Sequence, residues 1–274
     1  LHVGFATLRD LAFNGQGYGL DPLGSLASLP ALDREKLAAH HARHFTAGNI
    51  TLAIAGDFDP AQAKSVLSTA FANLPSGGAW TPPANEPATG KEQTAHLPKK
   101  QAILTFGFPG ATVTSEDRYA LGMIQEYATD MAGPLFTRIR EELGLAYRVG
   151  ATQFLGFDAG LFTFYVATSP EQADFAGREL LVEIEKIAEN GIPDDTFDRV
   201  RSTVLSSLAI QQQSPASTAR QVALDLLFGQ PAEQFRKQSA IYKSLTPTRV
   251  QETAARLLSA KPIRATILSE PADA

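Results

Sequence analysis

Residues 32–54 and 245–267 align on one another without a gap, at a shift of 245 − 32 = 213 positions. Leu32/Leu245, Ala42/Ala255, Arg43/Arg256, Ala47/Ala260, Ile50/Ile263 and Ile54/Ile267 are identical across the pair. Each copy reads as an amphipathic helix followed at once by a short buried strand. In the first copy Asp33 suits the N-cap, and Leu37, His41, His44 and Phe45 fall on one helical face. Gly48–Asn49 breaks that helix, and Ile50–Gly56 then reads as the strand. A helix–strand unit that recurs at this distance calls for two related modules, each closed by such a unit.

The stretch between the copies supports the division. Pro75–Lys100 (PSGGAWTPPANEPATGKEQTAHLPKK) is rich in Pro, Gly, Ala and Thr and lacks apolar periodicity. It reads as an interdomain linker, held extended by Pro82, Pro83 and Pro87. Residues 1–75 are therefore expected to be the C-terminal part of a first module, 76–97 the linker, and 98–274 a complete second module. Because 98 − 213 = −115, about 115 residues of the first module are expected upstream of Leu1.

Ala61–Leu74 suits a helix with Val66, Leu67, Ala70 and Phe71 turned inward. In the second module, Gln101–Phe108 reads as a strand, and Ser115 or Glu116 opens a helix running through Tyr127. Pro134–Leu143 is helical, and Tyr147–Phe154 and Gly160–Ala167 read as strands around the turn at Gly156–Gly160. From Ser169 the pattern is helical, broken at Gly191–Pro193, Ser214–Pro215 and Thr246–Pro247, and Ile263–Leu268 closes the chain as a strand. The fold class is α+β, a duplicated module of an antiparallel-rich sheet with helices packed on one face.

Several chemistries are excluded or disfavoured. The sequence holds no Cys, which removes disulfides, thiolate nucleophiles and Cys-ligated zinc. Lys plus Arg total 24 against 29 acidic residues, and no basic run supplies a nucleic-acid footprint. The apolar stretches fall short of the roughly 20 residues of a membrane span. No Gly-x-Ser-x-Gly elbow is present. The glycines of Gly15–Gly19 do not connect a strand to a helix as a phosphate cradle requires. His40 and His44 share a helical face, but no acid lies between them, so a structural pair is the better reading than a zinc site. Glu141 and Glu142 are adjacent on a helix and point apart.

Leu135–Tyr147 (LFTRIREELGLAY) stands out. Leu135, Ile139 and Leu143 hold helical spacing, Gly144 ends the helix, and the chain turns into a strand. Arg140 near the helix end and Tyr147 near the strand start can project to the same side of the turn. An Arg fork beside a phenol can bind a peptide carbonyl or stabilise an oxyanion.

These residues resemble the pitrilysin–insulinase family of zinc peptidases, in its processing-peptidase-like branch. Asn49–Asp57 with the preceding helix resembles the end of that family's first module. Leu135–Tyr147 is similar to the second module's motif, and Leu245–Leu268 to its closing helix and strand. The resemblance implies an inverzincin-like α+β fold and a zinc-dependent metalloendopeptidase acting on unfolded peptides inside an enclosed chamber. That chamber is built from two modules in one chain, or from subunits paired as homodimer or heterodimer. It also implies that Arg140 and Tyr147 bind substrate and stabilise the transition state. The family's inverted zinc motif, His-x-x-Glu-His, belongs to the first module, on the counterpart of the 116–127 helix. Here that helix reads YALGMIQEY over 119–127, without His. Zinc is therefore expected in the complete enzyme or a partner subunit, with no cofactor on this segment and no activity from it alone. The alternative is a non-catalytic partner or scaffold of the same family. Similar bacterial proteins are often exported, which points to the periplasm ahead of the cytoplasm.

Overall fold

A computed structural model describes residues 1–78 and 84–270. Pro82 and Pro83, on which the extended linker partly rests, lie outside the described residues. In chain order the helices are α1 (His2–Ala12), α2 (Arg34–His44), α3 (Pro60–Ala70), α4 (Asp117–Thr129), α5 (Ala173–Asn190), α6 (Asp194–Gln212), α7 (Pro215–Leu227), α8 (Gln234–Ser244) and α9 (Pro247–Leu258). The strands are β1 (Glu92–Leu97), β2 (Ala102–Gly110), β3 (Arg148–Leu155), β4 (Gly160–Thr168) and β5 (Ile263–Ser269). Leu135–Glu142 is wound as a π-helix. The chain divides into two compact units: Leu1–Asp21 with Ala84–Ser206 and Ser239–Ala274, and Pro22–Pro83 with Ser207–Gln238.

The first unit is built on a five-stranded sheet in the order β1-β5-β2-β4-β3, antiparallel except for the parallel pair β1–β5. Side chains alternate across a strand, so Leu104, Phe106 and Phe108 of β2 share a face with Phe162, Phe164 and Val166 of β4. That face is covered by Leu121 and Ile124 of α4, Leu180 and Ile184 of α5, and Val250 of α9. The four Phe rings are essentially buried, and Phe164 meets Phe108 and Phe162 edge-on at centroid distances of 6.0 and 5.1 Å. Each such ring contributes about 1.5–3 kcal/mol of burial. The fold is α+β with an antiparallel-rich sheet, and α4, α5 and α9 lie on one face.

Helix α1 packs on the opposite face. Leu8 sits against Gly107, Gly4 against Ile103 and Thr105, and Phe5 meets Tyr165 edge-on at 5.5 Å. Central strands covered on both faces read as continuous apolar runs, which is why β2 and β4 were legible. Strand β1 lies inside the stretch read as linker. Its six residues carry no Pro, and its backbone is held by β5 in register from Glu92↔Arg264 to Leu97↔Ser269.

In the second unit the caps behave as the sequence requires. Asp33 accepts from Lys36 N at 2.8 Å, and Asp59 accepts from Ala61 N and Gln62 N at 2.7 and 3.0 Å. The burial does not follow expectation. Leu37 and Phe45 of the expected inward face of α2 are exposed, as is Val66 of α3. Residues 51–57 form no strand, and Leu52 and Ile54 are about half exposed (51% and 48%). Apolar residues give a segment a reason to be covered, but a strand exists only through a ladder partner, and the described residues supply none here.

Candidate functional site

The Leu135–Tyr147 element begins at a sharp turn. Gly133 N donates to Asp130 O at 2.8 Å, and a Cβ on Gly133 would sit on the Tyr127 carbonyl oxygen. Pro134 then leads into the π-helix, where Leu143 N reaches back five residues to Arg138 O at 3.2 Å. Leu145 N donates to Ile139 O at 2.9 Å across Gly144, whose φ of +61° is the left-handed conformation that ends such helices at little cost for glycine. Leu135, Ile139 and Leu145 are buried in the main core. The element is therefore anchored by apolar side chains on one side and presents its charged side chains on the other.

The two arginines have different surroundings. Arg138 is held by Glu142 at 2.9 Å and Glu179 at 3.3 Å. Arg140 is exposed, makes no ion pair among the described residues, and has its guanidinium 4.9 Å from the centre of the Phe136 ring. Tyr147 is 59% exposed, and its backbone N–H donates to Ala167 O at 2.9 Å, which fixes the entry into β3. Arg140 and Tyr147 thus stand at the two ends of one anchored turn, and among the described residues neither side chain is held by a hydrogen bond or an ion pair. His40 and His44 lie with ring centroids 4.5 Å apart on α2, in the other unit.

Helix α4 carries two residues whose role was not legible in sequence. Gln125 Oε1 accepts from Gln153 N at 3.1 Å, and Thr129 Oγ1 accepts from Ala151 N at 3.3 Å. These are N–H groups of the edge strand β3, so α4 seals that edge. The only available signal was the i, i+4 spacing of Gln125 and Thr129. At the same end of α4, Arg199 holds the Asp130 carboxyl below its usual range, and burial beside Asp130 pushes Glu126 up.

The sequence profile described as "Peptidase M16 inactive domain" matches residues 31–204. The chain belongs to that family. Among curated relatives, it is 28% identical over 215 residues to an uncharacterized zinc protease of Rickettsia bellii, covering 77% of this chain and 51% of that one. It is 24% identical over 262 residues to an uncharacterized zinc protease of Streptomyces coelicolor, covering 91% of this chain and 56% of that one. The chain thus spans about half the length of the curated relatives it matches. A crystal structure of a peptidase M16 inactive domain from Pseudomonas fluorescens superposes with a TM-score of 0.86 at 18% identity, covering 99% of this chain and 66% of that one. That likeness is one of fold.

The zinc in those relatives' names does not fit the donors of this M16 domain. Among the described residues no group of three or more His, Asp or Glu side chains could hold a metal ion. Among the described residues, too, no helix is long and apolar enough to cross a membrane.

Proposed function

We propose that this chain is the substrate-handling, non-zinc part of a zinc metallopeptidase that cleaves peptides, the metal and the general base being supplied by another segment or subunit. In this reading residues 1–75 are the tail of a first module, 76–97 the connection, whose last six residues join the second module's sheet as β1, and 98–274 the rest of the second module. The exposed apolar side chains Leu37, Leu52, Ile54 and Val66 are then the inner face of the first module, covered by the rest of it.

The observation that carries the reading is the anchored turn bearing Arg140 and Tyr147. Both side chains keep their polar groups uncommitted while the backbone beneath them is fixed. A guanidinium and a phenol held this way can donate to a peptide carbonyl and to the charge that develops on its oxygen. A zinc peptidase assembled from this chain and its zinc-bearing part should lose roughly 10²–10³-fold in turnover on Tyr147→Phe, the scale of one oxyanion donor. Its KM should rise on Arg140→Ala. Unchanged kinetics in both variants would remove the assignment.

A second reading has its own support, the match to a profile described as an inactive domain. In it the domain is a non-catalytic partner or scaffold. It predicts unchanged turnover in both variants and loss of activity only when association is broken.

A further inference from the structure

Helix α1 covers its face of the sheet without filling it. Side chains alternate across a strand, and the register Thr152↔Thr163 and Phe154↔Leu161 of β3 and β4 puts these four on the face that also carries Tyr165, the residue met edge-on by Phe5 of α1. Between this patch and the flank of α1 lies a cavity of about 310 Å³, lined by those four residues and by Phe5, Leu8 and Arg9. All of them belong to the same compact unit.

The cavity has a polarity of one sign. Among the described residues no Asp or Glu lines it. Arg9 supplies a positive charge, and its Nε is buried without a hydrogen-bond partner. A buried donor left unpaired is costly, and more so when it is charged. A carboxylate removes that cost, because it can accept two N–H bonds side by side from one guanidinium. Thr163 is 4% exposed, and among the described residues neither its hydroxyl nor that of Thr152 is held by another group. Both can donate to the same anion. Asp21, the acid that reaches His2 at one side of the cavity, is engaged by that imidazole at 3.3 Å. The remaining walls, Phe5, Leu8, Phe154 and Leu161, are apolar.

We propose that this cavity is a binding site for a small monocarboxylic acid with an aromatic body. The carboxylate accepts from Arg9, with the hydroxyls of Thr152 and Thr163 as further donors. The body lies among Phe5, Leu8, Phe154 and Leu161, where two rings offer an aromatic ligand the edge-on contacts such groups prefer. Small-molecule sites run from about 300 to 1,000 Å³, so this one, at the lower end, suits a compact free acid ahead of the end of a longer chain. Binding there requires neither zinc nor peptide cleavage.

The test titrates hydrocinnamate into the 274-residue chain near neutral pH and follows amide resonances. Saturable shifts should appear at Phe5, Thr152 and Thr163 and not at Leu121 or Ile184, which lie on the other face of the sheet. Hydrocinnamamide, of the same shape but uncharged, should bind about tenfold more weakly or worse. Arg9→Gln should abolish that preference, and Thr163→Val should weaken the acid several-fold. Arg178→Gln, which removes an exposed arginine of α5 on the opposite side of the sheet, should leave the affinity unchanged. Should Arg9→Gln fail to fold, the preference for acid over amide in the unmodified chain still decides the role of the charge. No saturable binding of the acid, equal affinity for acid and amide, or shifts that spare Phe5, Thr152 and Thr163 would each overturn the proposal. Tighter binding of the tripeptide Ala-Ala-Phe with a free C-terminus than of hydrocinnamate would give the cavity to peptide ends and overturn it as well.

Discussion

Three neighbouring residues of the π-helix should respond very differently to truncation. Ile139 is fully buried in the main core. Ile139→Ala deletes three carbons, worth about 0.8 kcal/mol each in transfer. The void they leave adds a cavity term, bringing the cost to about 3–4 kcal/mol, inside the range for such truncations. Arg138→Ala removes the ion pairs to Glu142 and Glu179, but the arginine side chain is 41% exposed and the Glu142 side chain 61%. Exposed pairs of this kind contribute about 0–1 kcal/mol. Arg140→Ala removes only the contact with Phe136, worth about 0.5–1 kcal/mol at an exposed site.

Urea denaturation of the three variants followed by far-ultraviolet circular dichroism separates these cases. At a slope of about 1–3 kcal/mol/M, Ile139→Ala should lower the midpoint by roughly 1–4 M, and each arginine variant, at the same slope, by no more than about a third as much. A loss on Arg140→Ala as large as that on Ile139→Ala would make Arg140 a structural residue and refute its availability to substrate. A loss under about 1 kcal/mol on Ile139→Ala would refute the anchoring of the turn.

Two further outcomes follow from the same unit. Gly133→Ala should cost about 1–3 kcal/mol, because its Cβ meets the Tyr127 carbonyl oxygen, a backbone atom that cannot swing aside; an unshifted melting temperature would contradict the turn geometry. Burial pushes the Tyr242 phenol up to about 12 from its ordinary value of 10.0, so its contribution to stability is complete below pH 10 and is lost as pH rises towards 12. Thermal melts should therefore fall over that window more steeply for the unmodified chain than for Tyr242→Phe, and equal slopes would refute the linkage.

The parts of the fold that could be read from sequence are those whose physics is local or two-sided. Strands β2 and β4 are apolar almost throughout because α4, α5 and α9 cover one face and α1 the other. Asp33 and Gly144 announced a helix start and a helix stop through chemistry confined to one turn. Ile50–Gly56 shows the limit of that logic, since its apolar pattern describes a need for cover and carries no information about a ladder partner. Strand β1 was hidden for the opposite reason: an edge strand half open to solvent carries polar residues such as Glu92, Gln93 and Thr94, and it follows a Pro-rich stretch that reads as irregular. The seal on β3 was equally silent, because Gln125 and Thr129 satisfy N–H groups that are remote in sequence, and a polar i, i+4 pair on a helix has solvent as its default partner. What decides which edge of this sheet stays open is therefore written in side chains of α4, outside both edge strands. A sequence that kept β1 and β3 but lost Gln125 and Thr129 would present two free edges.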